Sequence, residues 1–510
     1  MEVATQPYLK TGEEYRESLR DGRVVWCRGE RIDVTTHAAT AGGIDWLATF
    51  YDLQHDPAHE DVLTRVREDG RRVTRAWHLP RSAEDLVARR ELVELTSRET
   101  LGFFGRQLDN IAFTTVGLAA YRHLFEASDP RLARNIDAYI RWAEEHNVIV
   151  AGLLADPQGA RAKEKWSLGG RVNLSRHGET PQLPPLLRVV EQRDDGIVIA
   201  GAKIVGTLLP QAHEMLVITQ PFVAPEESFW CAIPANAPGV NIVLRQQLSP
   251  VPPESEHPLA SRGEEMDCLI VFDDVFVPME RVFSLGNPEL ALEYGAIGAG
   301  EHWHSLIRMT VKAELLVALT QMIVDALGTM KVPKVRELVA DVIVYAQAQR
   351  AFVQAAQDSA ITTESGAVWP NVDFVTAGRV YGVENYGAII DKVRELAGQG
   401  PLMRFSDADF AHPELGPMLS QVIQGFDMVS EDKNRLMGLV WDITSDGYGM
   451  RMDYFERLNG YPLFFLKERL FGEYDRTENV RFLARFLGLP VEAAAARARM
   501  LASRKKPYFG

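Results

Sequence analysis

Three short stretches carry side chains whose types and spacing could do chemistry. In LGFFGRQLDN, Arg106 follows Gly105 close to the end of an amphipathic stretch. A guanidinium is always charged and presents a rigid fork of N–H donors, so it can hold an anion or an anionic intermediate. A surface ion pair is the plain alternative. In EHWHSLIR, the imidazoles of His302 and His304 flank the indole of Trp303, just before a long helical stretch and after Gly295, Gly298 and Gly300. Imidazole can take a proton from a phenol or an amine near neutral pH, and Trp303 could wall the same site. Two histidines separated by one residue point apart on a helix but can converge in a loop. Packing or capping is their alternative role. In DGYGMR, glycines permit close backbone approach and Arg451 could reach a phosphate or flavin edge. A helix cap and turn is equally compatible with that stretch.

Three textures must position these residues. Residues 1–155 read mostly as helix: SAEDLVARRELVELTSRETLGFFG opens with a Ser cap and acidic residues, and its apolar positions recur three and four apart. RLARNIDAYIRWAEEHNVIVAGLLA is a second amphipathic stretch. Residues 156–286 change character. RVVEQRDDGIVIAGAKIVGT places two short β-branched runs around an Asp-Asp-Gly turn, and MLVITQPFV, FWCAIPA, VNIVLRQ and DCLIVFDDVFVP follow as short strands. Residues 287–510 return to long apolar-periodic segments that suit a four-helix bundle, ending in a terminal helix and a tail. The order of helices, β module and helical bundle indicates an α+β fold.

Composition narrows the function classes. The chain has 510 residues, 46% hydrophobic and 25% charged, enough for a large core and two to four units. Its formal net charge is −15, which disfavours binding to nucleic acid or to anionic membranes. Cys27, Cys231 and Cys268 are scattered and odd in number, so no disulfide framework or iron–sulfur cluster is expected. No signal peptide or membrane span is evident, and the expected setting is the cytoplasm. GxxxxGK[ST], HExxH, CxxC and GxSxG do not occur, and GAIGAG at 295–300 lacks a βαβ context, so neither a P-loop nor a nicotinamide-binding domain is supported. The histidines show no metal-ligand spacing.

LGFFGRQ, AGLLADPQGARAKEK, GAKIVGTLLPQAHEMLV, PLASRGEEMDCLIVFDDVFVPMERV and SDGYGMRMDYFERLNG occur in that order across the chain. Together they resemble the 4-hydroxyphenylacetate 3-hydroxylase family, the oxygenase components of two-component flavin-dependent monooxygenases. The resemblance implies an acyl-CoA dehydrogenase-like fold, with an N-terminal helical domain, a middle β domain and a C-terminal four-helix bundle, as a homotetramer or homodimer. It implies reduced FAD supplied by a separate NAD(P)H-using reductase, O2 as co-substrate, and a C4a-hydroperoxyflavin that hydroxylates an aromatic, phenolic or amino-acid-derived substrate, free or carrier-tethered. Oxygen transfer to nitrogen or another heteroatom, or an oxidative rearrangement, is the alternative.

By the same resemblance, Arg106 lies beside flavin and substrate. Asp156, Pro157, Gln158 and Arg161 form a flavin-contacting loop, and Thr207 contacts the isoalloxazine. Arg262 and Arg451 are further cofactor candidates. His304, with His302 as its alternative, is the candidate catalytic base; Trp303 between them is a candidate substrate contact from its position alone. Two positions depart from the family pattern. Asn110 stands where a tyrosine is expected and Gly152 where a histidine is expected. Both replaced residues help bind the phenol, so the substrate is expected to differ. Gly152 is expected to open space for a larger one.

Overall fold

The computed structural model describes residues 9–157, 186–219, 223–248, 253–459 and 462–502. Its β layer consists of two sheets that share a core. The larger runs in the order Glu30–Arg31, Val25–Cys27, Val240–Leu244, Cys268–Pro278, Gly196–Ile204, Arg188–Gln192. The smaller runs Val282–Leu285, Phe229–Pro234, Glu214–Ile218, Val150–Leu153. Arg188–Gln192 and Gly196–Ile204 form the expected antiparallel hairpin.

Side-chain alternation assigns the two faces of the smaller sheet. Met215 and Val217 enter the core between the sheets, while Leu216 and Ile218 enter a second core made with the helices. Ala151 and Leu153 follow the first pair and Val150 the second.

Residues 1–155 are mostly helical but also contribute strands to both sheets. Val25–Cys27 pairs parallel with Val240–Leu244, and Val150–Leu153 pairs parallel with Glu214–Ile218. Each run is only three or four residues long. Such a run shows little period by itself and becomes a strand because a sheet edge from elsewhere in the chain supplies its partners.

The helices Ala83–Glu99, Asn110–Ala120 and Pro130–Glu145 lie on the outer face of the smaller sheet, while Gly12–Ser18 and Ala41–Leu53 pack into the core shared by the two sheets. Ala83–Glu99 starts at a capping box in which Ser82 and Asp85 satisfy each other's backbone N–H groups. Every residue of Asn110–Ala120 is buried. Beyond it, Ala299–Leu327, Pro333–Asp358, Val372–Ala397 and Ser430–Thr444 pack as a bundle, with Gly447–Leu458 against them. The first turns of Ala299–Leu327 are buried on all sides, between Asn110–Ala120, Ala83–Glu99 and the rest of the bundle. Among the described residues no helix is long and apolar enough to cross a membrane.

Candidate active site

A polar stripe runs along the buried start of the Ala299–Leu327 helix. Glu301, His304, Ser305, Arg308 and Lys312 recur at helical spacing, and all are buried. Each finds a partner on another element. Arg308 donates twice to Glu456, at 2.7 and 2.8 Å, and Lys312 donates to the same carboxylate at 2.8 Å. Ser305 accepts from Asn459 at 2.9 Å. Burial would raise the Glu456 carboxyl, but Arg308 and then Lys312 hold it down at about 2.

Glu301 is the partner of Arg106. The guanidinium Nη1 donates to Glu301 Oε1 at 2.7 Å and also to Asn110 Oδ1, one turn further along the chain. Tyr294 and Thr114 donate to the other Glu301 oxygen at 2.9 and 3.3 Å. Burial raises this carboxyl too, but Arg106 outweighs it and the value falls to about 2. The Nε–H of Arg106 is buried and has no hydrogen-bond acceptor among the described residues. Arg106 is therefore not a surface ion-pair residue.

The two histidines lie within the helix and not in a loop before it, so they diverge. His304 Nε2 is 3.0 Å from Asp109 Oδ1, and its Nδ1 is 3.1 Å from Asn110 Nδ2. Arg89 braces Asp109 from behind at 3.2 Å. A general base needs an open lone pair, and both nitrogens of His304 are engaged. His302 is equally buried, yet neither of its nitrogens has a partner among the described residues. Burial and then the nearby Arg379 push its pKa down to about 3, so the ring is neutral. Trp303 points elsewhere: its indole donates to the Val353 carbonyl at 3.4 Å inside the helical core. The structure corrects it from a site wall to a packing residue.

A second cluster forms where the β layer meets the bundle. Arg451 donates to Asp267 at 2.7 and 3.1 Å and to Glu265 at 2.6 Å. Thr207 donates to Asp267 at 2.7 Å, and Arg245 joins at 2.9 Å. Burial would raise the Asp267 carboxyl, but Arg451 and Arg245 with the Thr207 hydroxyl hold it well below the usual range. Glu265 also accepts the backbone N–H of Arg106, which ties this cluster to the helical one. Phe103, Tyr448 and Met452, with Glu264, Glu265 and Arg451, line a narrow cleft at the seam. Thr207 and Arg451 thus meet, and Arg106 is their neighbour.

Other sequence candidates fall elsewhere. Asp156 is buried against Lys203 at 2.7 Å, an internal ion pair that joins the start of its loop to the larger sheet. Pro157 follows it at the end of the described stretch, and Gln158 and Arg161 lie outside the described residues. Arg262 makes an exposed pair with Glu254 at 3.0 Å and, among the described residues, bonds to neither cluster. Gly152 opens no space: a Cβ there would lie 2.7 Å from Ile111 Cδ1, because Ile111 fills the position.

Sequence reading missed Asp109, Glu301, Arg308, Glu265 and Asp267. The usable signal was the set of charged and polar residues at i, i+3, i+7 and i+11 in a helix that is otherwise apolar. Such residues persist inside a core only when paired.

The chain is similar to known proteins over most of its length. The family model for the 4-hydroxyphenylacetate 3-hydroxylase N terminal matches residues 11–284, and that for the C terminal matches residues 293–488. The oxygenase component of a 4-nitrophenol 4-monooxygenase/4-nitrocatechol 2-monooxygenase from Rhodococcus opacus is 34% identical, over 96% of this chain and 93% of that protein. An FADH(2)-dependent monooxygenase, TftD, from Burkholderia cepacia is also 34% identical, over 89% of this chain and 88% of its own length. The crystal structure of the oxygenase component of a 4-hydroxyphenylacetate 3-monooxygenase, complexed with FAD and 4-hydroxyphenylacetate, superposes with a TM-score of 0.85 at 30% identity, covering 94% of this chain and 98% of that one. The fold is acyl-CoA dehydrogenase-like, and with these relatives it defines an oxygenase component of a flavin-dependent monooxygenase. The chain belongs to the 4-hydroxyphenylacetate 3-hydroxylase family.

Proposed function

We propose that this chain receives reduced FAD from a separate NAD(P)H-dependent flavin reductase and uses O2 to hydroxylate a phenolic ring. One oxygen atom enters the ring and the other leaves as water. The observation that carries this reading is Arg106: buried, fixed by Glu301 and Asn110, with an Nε–H that meets no acceptor among the described residues. A permanently charged donor of this kind suits a phenolate oxygen.

The seam carries the residue types that would contact a flavin. Phe103, Tyr448 and Met452 would supply apolar contacts to the flavin ring, and Arg451 and Thr207 polar ones near Arg106. When bound, reduced FAD supplies the two electrons that activate O2. The chain's own residues do the rest. Arg106 favours the ionised phenol and so raises the electron density of the ring. Glu301 and Asn110 keep the guanidinium in place, and the apolar side chains at the seam exclude water.

The three free cysteines support a reducing, cytoplasmic setting. Self-association is supported by exposed aromatic side chains on the last helices, among them Phe464 at 56%, Phe482 at 74% and Phe486 at 80% exposure. A dimer or tetramer would cover them.

The test supplies purified protein with reduced FAD and 18O2, and offers 4-nitrophenol, 2,4,6-trichlorophenol and 4-hydroxyphenylacetate. The expected product carries one 18O on a ring carbon by mass spectrometry. Oxidation of the flavin with no labelled product from any phenol would defeat the reading.

A further inference from the structure

We propose that Asp109 is a positioning residue: through His304 it sets the orientation of the Asn110 amide and thereby aims Arg106. The inference rests on the phenol-hydroxylation reading above and adds a specific chain of contacts to it.

The chain runs Arg89, Asp109, His304, Asn110, Arg106, Glu301, and all six residues are buried. Its ends have fixed polarity. Arg106 can only donate, so the Asn110 atom facing it is the amide oxygen. The NH2 of Asn110 then faces His304 Nδ1, at 3.1 Å, and can only donate to it. Nδ1 must therefore carry a lone pair, which puts the ring proton on Nε2. That proton points at Asp109 Oδ1, 3.0 Å away, and a carboxylate can only accept. One arrangement of hydrogens satisfies every contact, so the tautomer and the amide orientation specify each other.

Asp109 breaks a local rule to do this. It is the residue immediately before the Asn110–Ala120 helix, where an Asp carboxylate commonly accepts a backbone N–H of the first turn. Here it makes no such cap bond. The carboxylate instead takes Arg89 Nη1 at 3.2 Å and His304. Arg89 is itself immobilised by the carbonyls of Ala76 and His78, at 2.9 and 3.0 Å, and lies over the Phe113 ring at 4.3 Å. Forgoing a cap for a relay is the type of local inconsistency expected at a functional site.

With Asp109→Asn, residue 109 can offer an NH2 to Nε2. The imidazole can then take the other tautomer, the Asn110 amide can turn over, and a donor can face Arg106. The expected result is a fall of about tenfold or more in product formed per flavin oxidised, because a misdirected guanidinium no longer holds the reacting ring in place. Reduced-FAD binding, measured by titration, should stay unchanged. A lower melting temperature with wild-type coupling would overturn the proposal.

Should that variant fail to fold, the wild type decides. The full-length protein is labelled with 15N-imidazole histidine, and His304→Gln assigns the resonance. The relay requires His304 to be neutral and protonated on Nε2. A proton on Nδ1, on either the neutral or the doubly protonated ring, would overturn it. This readout needs no turnover. A wild type that hydroxylates no phenol yet shows the Nε2–H tautomer would sink the functional reading and leave the relay standing.

Discussion

His302 and His304 sit two residues apart on one helix, equally buried, in opposite surroundings. His304 has a carboxylate on one nitrogen and an amide on the other. His302 has neither, and Arg379, Glu301, Arg469 and Arg106 are the charged groups around it. A helix sends residues i and i+2 to different faces, so this contrast follows from the backbone. Residue type and burial alone therefore say little about what a histidine does. The saturated face is built for fixed orientation. The unsaturated face is held neutral by burial and by cations, and it contributes nothing to that orientation.

The strongest test of the saturated face is Glu456→Ala, which leaves Arg308 and Lys312 without their shared counter-charge. Breaking a buried pair in this way costs about 3–5 kcal/mol, read as a lower midpoint in urea or guanidinium unfolding. His304→Ala strands Asp109 Oδ1 and the Asn110 amide and should cost about 2–3 kcal/mol. His302→Leu, by contrast, removes a buried polar ring that has no partner among the described residues. Its stability at pH 7 should match or exceed that of the wild type, and a loss as large as that of His304→Ala would erase the distinction between the faces.

Beneath the relay, Gly152→Ala would drive a methyl group against Ile111 and should cost about 1–2 kcal/mol, with partial recovery in combination with Ile111→Val. Full stability in the single variant, together with improved turnover of bulky phenols, would restore the view that this position opens space.

Acid unfolding separates the two faces most finely. His302 titrates near 3 when folded and at 6.5 when unfolded, so the unfolded chain takes the proton first. Its contribution is lost as pH falls below 6.5, with a slope approaching 1.4 kcal/mol per pH unit. The Glu301 and Glu456 carboxyls, at about 2 when folded and 4.5 when unfolded, add their losses only below 4.5. His302→Leu should therefore flatten the profile between pH 6.5 and 4.5 and leave the steeper fall below it. His213 and His78, also held below their ordinary values by burial, add to the slope over this range, while Glu214, pushed up to about 7 by burial, opposes it.

The large elements were legible in the sequence because their patterns are local. The Ser82 cap, the period of the long helices and the Asp194–Gly196 turn each lie within a single element. The strands Val25–Cys27 and Val150–Leu153 were not legible, since each depends on a partner far along the chain. Of the candidates named from the sequence, Arg106, Thr207 and Arg451 gather at one seam. Arg262 and Trp303 matched by motif or position, but their side chains point to solvent and to the core. Asp109 and Glu301 were passed over because a lone carboxylate in a sequence shows no sign of the arginine that will neutralise it. Gly152 was misread for a related reason, since the side chain that fills its space belongs to another element.

The most direct test of the central claim is the ratio of hydroxylated phenol to flavin oxidised, measured in a single turnover for the wild type and for Arg106→Ala. Arg106→Ala is expected to oxidise the flavin while losing product on the order of 100-fold, as when a preorganised donor is removed from a developing charge. Equal product from the two proteins would contradict the account, and would make Arg106 a residue that only balances the charge of Glu301.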